Sequence, residues 1–204
     1  MKIFFDTEFT GLHKDTTLIS IGLIDEKGRT FYAEFSDYDD TQIDDWLHEN
    51  VIKNLKWSKA GPIENFTNND MFGNMEAYGT KPYIKKCLEY WLKDYDDVQL
   101  ISDVSHYDMV LFIDLFGDAL SLPSNISPSC HDINQDIARH YSTTEKKAFN
   151  MSREGIIDGY NRIMEKYEPE NKIVIEIERK KHNALYDARV IKEIYRITNG
   201  YQYK

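Results

Sequence analysis

The chain has 204 residues, 41% of them hydrophobic, and a formal net charge of −10. This length suits a single domain over residues 1–204, and the excess of acid argues against broad, non-specific binding to duplex nucleic acid. No run approaches the ~20 apolar residues of a membrane span. With no signal pattern and no C-x-x-C pair among two cysteines, we expect a reduced cytoplasmic protein without membrane contact or a zinc site.

Three strands are predicted near the start of the chain. Apolar runs predict strands at Lys2–Phe5, Thr17–Asp25 and Thr30–Phe35, which a short turn arranges as an antiparallel meander. Apolar residues at helical spacing predict a helix over Asp40–Trp57. Residues Ser58–Thr80 are rich in Gly, Asn and Met, so they are predicted to form a long loop or a small lid.

The rest of the chain alternates strand and helix. The predicted elements are a strand at Val98–Ile101 and helices at Lys81–Tyr95, His106–Phe116, His131–Tyr141, Gly155–Tyr167 and Asn183–Thr198. Leu122–Pro128 is predicted as a connection, Ser142–Arg153 as a polar loop, and Lys172–Ile177 as a strand or an extended segment. This order indicates a mixed α/β sheet flanked by helices.

Two acids follow the first strand. Asp6 and Glu8 are two residues apart, so on extended backbone they point to the same face. Neither can be buried in ionised form without a partner, and a hard divalent cation such as Mg²⁺ or Mn²⁺ would remove that cost. Two solvated acids on an edge strand are the alternative that these residues leave open.

Three further acids lie near the starts of predicted helices, and two of them are candidate site residues. Asp108 falls in the first turns of a helix that follows a strand, where ligands collect in open α/β sheets. Asp103 precedes it and is interpreted as a helix-cap residue. Asp187 lies one turn inside the last helix, Asn183 is its predicted N-cap, and His182 precedes that cap. His182 is therefore predicted to be a mobile base beside a rigid ligand, although an exposed histidine before a capped helix is the simpler alternative.

These motifs together resemble one superfamily. D-T-E-F-T-G, then Y-D at a strand-to-helix junction, then H-N-A-L-Y-D-A, are similar in order and spacing to the DEDDh exonucleases, which include ribonuclease T and oligoribonuclease. Within that superfamily the chain resembles ribonuclease AS most, through D-T-E-F, L-I-S-I-G and the segment Trp46–Leu55. Motif II departs from the frequent H-N-x-x-F-D, because this chain has S-H-Y-D.

The resemblance implies a ribonuclease H-like fold with a five-stranded mixed sheet of order 3-2-1-4-5. It implies a hydrolase that removes nucleoside 5′-monophosphates from the 3′ end of single-stranded RNA. Two Mg²⁺ ions, for which Mn²⁺ could substitute, would be held by Asp6, Glu8, Asp108 and Asp187, and His182 would be the general base.

The residues predicted to contact the substrate are those that follow Glu8 and several basic residues in the second half of the chain. Thr10 and Gly11 are expected to hold the terminal nucleotide through their backbone, and Phe9 either stacks on its base or belongs to the core. The candidates for phosphate contacts are Lys146, Lys147, Arg153 and the run Arg179, Lys180 and Lys181.

Two other classes of function stay open on the sequence. The chain could be a 3′-5′ exonuclease acting on DNA, or a nucleic-acid-binding partner on an inactive exonuclease scaffold. The presence of all four acids and His182 argues against the second class. The expected partner is single-stranded nucleic acid, RNA before DNA, and the resemblance also implies a possible homodimer.

Overall fold

The computed structural model describes residues 1–57, 66–175 and 181–200. The strands in these ranges are β1 (Lys2–Phe9), β2 (Leu18–Asp25), β3 (Thr30–Phe35), β4 (Phe66–Asn69), β5 (Met75–Gly79), β6 (Val98–Ser102) and β7 (Ile126–Asp132). The α-helices are α1 (Asp45–Asn50), α2 (Lys81–Leu92), α3 (Ser105–Phe116), α4 (Ile133–His140), α5 (Glu145–Phe149), α6 (Arg153–Tyr167) and α7 (Ala184–Asn199). Short 3-10 turns lie at Asp40–Gln42, Ile52–Asn54, Ala119–Ser121 and Pro169–Asn171. Within the described ranges, no helix combines the length and the apolar sequence that a membrane span requires.

The strands form one mixed sheet of order β4-β5-β3-β2-β1-β6-β7. The antiparallel meander β1-β2-β3 is as predicted, and β6 and β7 continue the sheet in parallel from β1. The predicted order 3-2-1-4-5 is therefore present as β3-β2-β1-β6-β7. The predicted strand count was too low, because β5 pairs with β3 and β4 pairs with β5.

The two extra strands come from the segment predicted to be a loop or lid. Met75, Ala77 and Tyr78 are buried, so β5 extends the hydrophobic core. The polar residues before β5 form its hairpin turn with β4, where Gly73 takes a positive φ of 78°. Residues 58–65 of the predicted loop lie outside the described residues.

The fifth strand of the predicted order is β7, in a region predicted to be a connection. Its sequence is polar and contains Pro128, and proline is tolerated on a strand that pairs on one side only. Within the described residues β7 pairs only with β6. Lys172–Ile177 was predicted to be a strand or an extended segment. Residues 172–175 form no strand, which leaves the second alternative for them, and 176–177 lie outside the described ranges.

Two core layers cover the two faces of the sheet. Ile3 and Phe5 on β1 pack towards α2 and α3, whereas Phe4 packs towards α4, α6 and α7. Because side chains alternate along a strand, Asp6 and Glu8 continue the Phe4 face. The face covered by α7 therefore also carries the two acids.

The predicted helix over Asp40–Trp57 is broken into short pieces. Asp39 accepts a hydrogen bond from the N–H of Thr41, and Asp44 accepts one from the N–H of Leu47. Such side-chain bonds start a new helix at each acid and compete with a continuous one. The other predicted helices differ at their ends, and the predicted polar loop over 142–153 contains α5.

Candidate active site

The first two acids lie within β1 instead of following it. Asp6 is opposite Gly22 on β2, and Glu8 is opposite Ser20. Both carboxylates are partly buried, because α7 covers this face of the sheet. The central strand of the sheet thus holds both acids rigidly.

Asp108 reaches the same place from α3. Its Oδ1 accepts hydrogen bonds from the backbone N–H of Thr7 at 3.1 Å and from Thr7 Oγ1 at 2.6 Å. The side chain is only 4% exposed. The threonine between the two β1 acids therefore fixes the third carboxylate beside them.

The start of α7 lies directly on the sheet at Gly22. A Cβ atom at Gly22 would be 2.3 Å from the backbone N of Leu185 and 2.4 Å from the carbonyl carbon of Ala184. Real Cβ atoms do not make such contacts, so only glycine allows α7 this close approach. Asn183 is the N-cap, as predicted, and accepts a hydrogen bond from the N–H of Tyr186.

Asp187, one turn into α7, is bonded to the residue predicted as the base. Its Oδ2 accepts the backbone N–H of His182 at 2.8 Å. Glu8, His182 and Asp187 each offer a ligand atom, and these atoms lie within 4.8 Å of one another. All four predicted metal-binding acids and His182 line one cleft of about 560 Å³.

The carboxylates in the cleft hold their protons more strongly than free acids do. Burial, and then the negative charges of its neighbours, raise the pKa of Asp6 and of Glu8 well above the ordinary range. Burial raises the pKa of Asp108 to about 7 and that of Asp187 to about 7, although hydrogen bonds from Thr7 and His182 oppose the shifts. Without a cation, ionising this cluster is therefore costly.

This donor set fits a hard divalent cation. Converging carboxylate oxygens are the ligands that Mg²⁺ and Mn²⁺ prefer, and a cation would reverse the cost of ionisation. The four acids come from three elements that border the cleft, with Asp6 and Glu8 on β1, Asp108 on α3 and Asp187 on α7.

His182 was predicted to be free to swing, but the structure holds its backbone. Besides the bond to Asp187, its φ is 65°, a conformation that few residues other than glycine adopt. The imidazole packs edge-on against Trp46, with ring centroids 5.0 Å apart. Burial and then the charge of Lys181 lower the pKa of His182, which keeps the ring neutral near pH 7.

Some of the residues predicted to contact the substrate line the cleft, and others do not. Phe9 and Lys181 line the cleft. Phe9 also packs against the core, which agrees with one alternative for its ring, and its stacking on a base stays a prediction. Thr10 and Gly11 are not among the lining residues. Their backbone N–H groups bond to Thr17 O and Thr16 Oγ1, which leaves neither donor for a nucleotide.

The basic residues predicted to contact phosphate also differ in whether they line the cleft. Lys146 and Lys147 are exposed on α5 outside the cleft lining, and Arg179 and Lys180 lie outside the described residues. Arg153 lines the cleft wall, but its five N–H groups bond to Asp103, Asn134 and the carbonyls of Ala148 and Met151. These bonds make Arg153 a structural residue and leave no donor for phosphate.

Asp103 is not the helix cap that was predicted. Val104 is the N-cap of α3 and makes no side-chain capping bond, while Asp132 accepts the N–H of Ser105 at 3.0 Å. Asp103 instead forms a two-point ion pair with Arg153, with the Nε–Oδ2 pair at 2.7 Å and the Nη2–Oδ1 pair at 2.8 Å. The pair joins the start of α6 to the end of β6.

Several lining residues were not predicted from the sequence, and three of them carry rings or charge. Tyr107, Phe149 and Glu154 line the cleft, and the two aromatic side chains are 43% and 56% exposed. Tyr107 precedes Asp108, so its motif could have indicated it. Phe149 and Glu154 follow a polar stretch with no pattern of their own, and only the packing of α5 and α6 brings them to the cleft.

Comparison with known proteins identifies relatives of the chain. A family model described as "3′-5′ exoribonuclease Rv2179c-like domain" matches residues 1–198. Two Mycobacterium tuberculosis proteins, "3′-5′ exoribonuclease Rv2179c" (strain H37Rv) and "3′-5′ exoribonuclease MT2234.1" (strain CDC 1551), are each 26% identical over 137 residues. Each match covers 66% of this chain and 73% of the relative.

A solved structure has the same fold. The nuclease domain of 3′hExo, a DEDDh family member bound to rAMP, matches with a TM-score of 0.60 at 14% identity, over 98% of this chain and 92% of that one. The same fold therefore persists where few residues are shared.

Proposed function

We infer the function of the chain from the family to which it belongs, the Rv2179c-like 3′-5′ exoribonucleases. We propose that it is a metal-dependent enzyme which removes nucleoside 5′-monophosphates from the 3′ end of single-stranded RNA. The observation that carries the proposal is the convergence of four carboxylates and His182 in one cleft. The solved structure with the same fold is a nuclease domain bound to rAMP, which supports a nucleotide as the kind of ligand that this chain binds.

The carboxylates are the proposed ligands of two Mg²⁺ ions, for which Mn²⁺ would substitute. Asp6, Glu8, Asp108 and Asp187 supply the oxygen atoms. Bound there, such ions neutralise the charge that develops on a phosphate during hydrolysis. The protein contributes rigid placement, since β1, α3 and α7 each fix at least one ligand.

His182 is the proposed general base. Its lowered pKa keeps a ring nitrogen unprotonated at neutral pH, ready to accept a proton from the attacking water. The phosphodiester would lie between this nitrogen and the acids of β1. Phe9, Tyr107 and Phe149 present rings in the same cleft, and such rings can stack on the unpaired bases of a single strand.

End-labelled oligonucleotides test the direction and the substrate. With Mg²⁺, we expect a 3′-labelled RNA to release labelled mononucleotide at once, and a 5′-labelled RNA to shorten stepwise. DNA of the same sequence and duplex RNA should be degraded more slowly, and EDTA should stop all degradation. Nicking of circular RNA or shortening from the 5′ end would contradict the proposal, whereas faster digestion of DNA would favour a DNA exonuclease. Binding without degradation would favour the inactive scaffold.

We expect His182→Ala to lower turnover by ~100-fold or more, within the usual range for a positioned base. Magnesium should still raise the melting temperature, because the four acids remain. His140→Ala is the matched control, since His140 is exposed at the end of α4, outside the cleft lining. Steady-state rates and melting curves with and without Mg²⁺ give the comparison. Near-normal turnover in His182→Ala would show that another group takes the proton.

A further inference from the structure

His182 occupies a backbone conformation that needs support. A non-glycine residue with φ of 65° costs free energy, and it persists only where its surroundings hold it. The residue also precedes α7, so the hydrogen-bond ladder of the helix does not fix it. The bond from its N–H to Asp187 supplies one contact. The remaining contacts come from a different part of the chain.

The ring and the preceding peptide are both held by the segment that contains α1. Trp46, on α1, places its indole edge-on against the imidazole, with centroids 5.0 Å apart. Asn54, in the 3-10 turn after α1, donates from Nδ2 to the carbonyl of Lys181 at 3.0 Å. One contact sets the position of the ring, and the other sets the peptide from which His182 extends.

The residue after His182 is linked to the end of the same segment. Asn183 Nδ2 bonds to the hydroxyl of Tyr32 at 3.3 Å, and that hydroxyl donates to Glu34 at 2.7 Å. Glu34, which is 1% exposed, in turn accepts the backbone N–H groups of Lys56 and Trp57. The segment 46–57 therefore contacts the peptide before His182 and the His182 ring, and it is linked to the residue after His182 through Glu34 and Tyr32.

We propose that Trp46 and Asn54 are positioning residues for His182: they hold the imidazole at the angle from which it accepts the proton. The inference rests on the proposed function of His182 as general base. Trp46 remains 53% exposed and is not among the residues that line the cleft. Among the described residues its ring contacts that of His182, which favours a role through the histidine over direct stacking on a nucleotide.

A double-mutant cycle tests this role. We expect Trp46→Ala to lower kcat roughly tenfold or more, because small displacements of a catalytic group are costly, with KM within about twofold. Trp46→Phe should restore most of the rate, since a ring edge is retained. In the His182→Ala background, Trp46→Ala should have no further effect, because a residue that acts only through His182 cannot act without it. Asn54→Ala should behave like Trp46→Ala, more weakly.

Controls separate this role from loss of folding. Tyr90→Ala removes a ring with similar exposure, 51%, from α2 and should leave kcat unchanged. Mg²⁺-induced stabilisation should survive in every variant. A raised KM at constant kcat, or equal effects of Trp46→Ala with and without His182, would overturn the inference. A fully active His182→Ala variant would instead contradict the proposal that His182 is the general base. That result differs from a cycle in which the effects of Trp46→Ala and His182→Ala simply add, which would contradict only the positioning role.

Discussion

Asp187→Asn is expected to abolish turnover and most of the stabilisation by magnesium, while the metal-free protein becomes at least as stable as the parent. The variant keeps an oxygen that can accept the N–H of His182, so the local structure is preserved. It loses the negative charge that a divalent cation needs. A cation that binds only the folded state raises the melting temperature, and the weakened site should reduce that rise.

The stability of the metal-free protein is expected to fall as the pH rises, because the pKa of Asp187 is raised. The pKa of Asp187 is raised from 3.8 to about 7 in the folded protein. The unfolded chain therefore loses this proton at a lower pH than the folded protein does. The free energy of unfolding that the protonated Asp187 contributes at pH 4 is lost as the pH rises towards and through about 7. Without metal, the parent should thus melt at a lower temperature at pH 8 than at pH 5.

Melting curves in EDTA and in Mg²⁺ at both pH values measure this effect. Asp187→Asn should melt a few degrees above the parent in EDTA at pH 8 and show a smaller difference between the two pH values. Asp96→Asn makes the same chemical change at an exposed position and should behave as the parent. A metal-free parent that is equally stable at both pH values, or a variant with a full Mg²⁺ response, would contradict the assignment of Asp187.

Gly22→Ala should cost both stability and turnover, although residue 22 is not among the residues that line the cleft. Its new Cβ would lie within 2.4 Å of backbone atoms at the start of α7. Backbone cannot rotate aside as a side chain does, so α7 must move away from β2. That movement takes Asp187 and His182 away from Asp6, and we expect turnover to fall by ~100-fold or more.

Gly159→Ala on α6 is the matched control. A Cβ there meets only the end of Arg162, at 4.0 Å. Alanine inside a helix is favoured over glycine by up to about 1 kcal/mol, so this variant should be as stable as the parent or more so. Melting temperatures, Mg²⁺ response and rates are compared for the two variants. Parent-like rates in a folded Gly22→Ala protein would show that α7 tolerates displacement.

The sequence was most informative where local pattern and chemistry coincide. The β1-β2-β3 meander, the N-cap Asn183 and the last helix follow from apolar periodicity and capping. The three motifs predicted a 3′-5′ exoribonuclease, and the family match confirms such a domain. The fold agrees with that of a solved DEDDh nuclease, whereas ribonuclease AS as the nearest relative stays a prediction. The positions of the four acids agree with one shared cleft.

Other features depend on distant contacts that no local pattern reveals. β7 is polar and contains Pro128, so only its pairing with β6 defines it as a strand. Arg153 was predicted to contact phosphate, but it forms an ion pair with Asp103, which is fifty residues away in the chain. Gly22 lies inside a strand, where glycine has no side chain to pack, and only the close approach of α7 explains why glycine is needed there. The role of Trp46 likewise depends on a ring 136 positions along the chain.

The packing of α7 on Gly22 also bears on synthesis of the protein. Asp6, Glu8 and Asp108 are translated long before His182 and Asp187, and a nascent chain is surrounded by ribosomal and messenger RNA. A ribosome-bound chain that lacks α7 holds three carboxylates but neither the fourth nor the histidine. The complete cleft therefore forms only after the last described helix has been translated and has docked on the sheet. Translation order itself thus delays assembly of a nuclease site beside the RNA that encodes it.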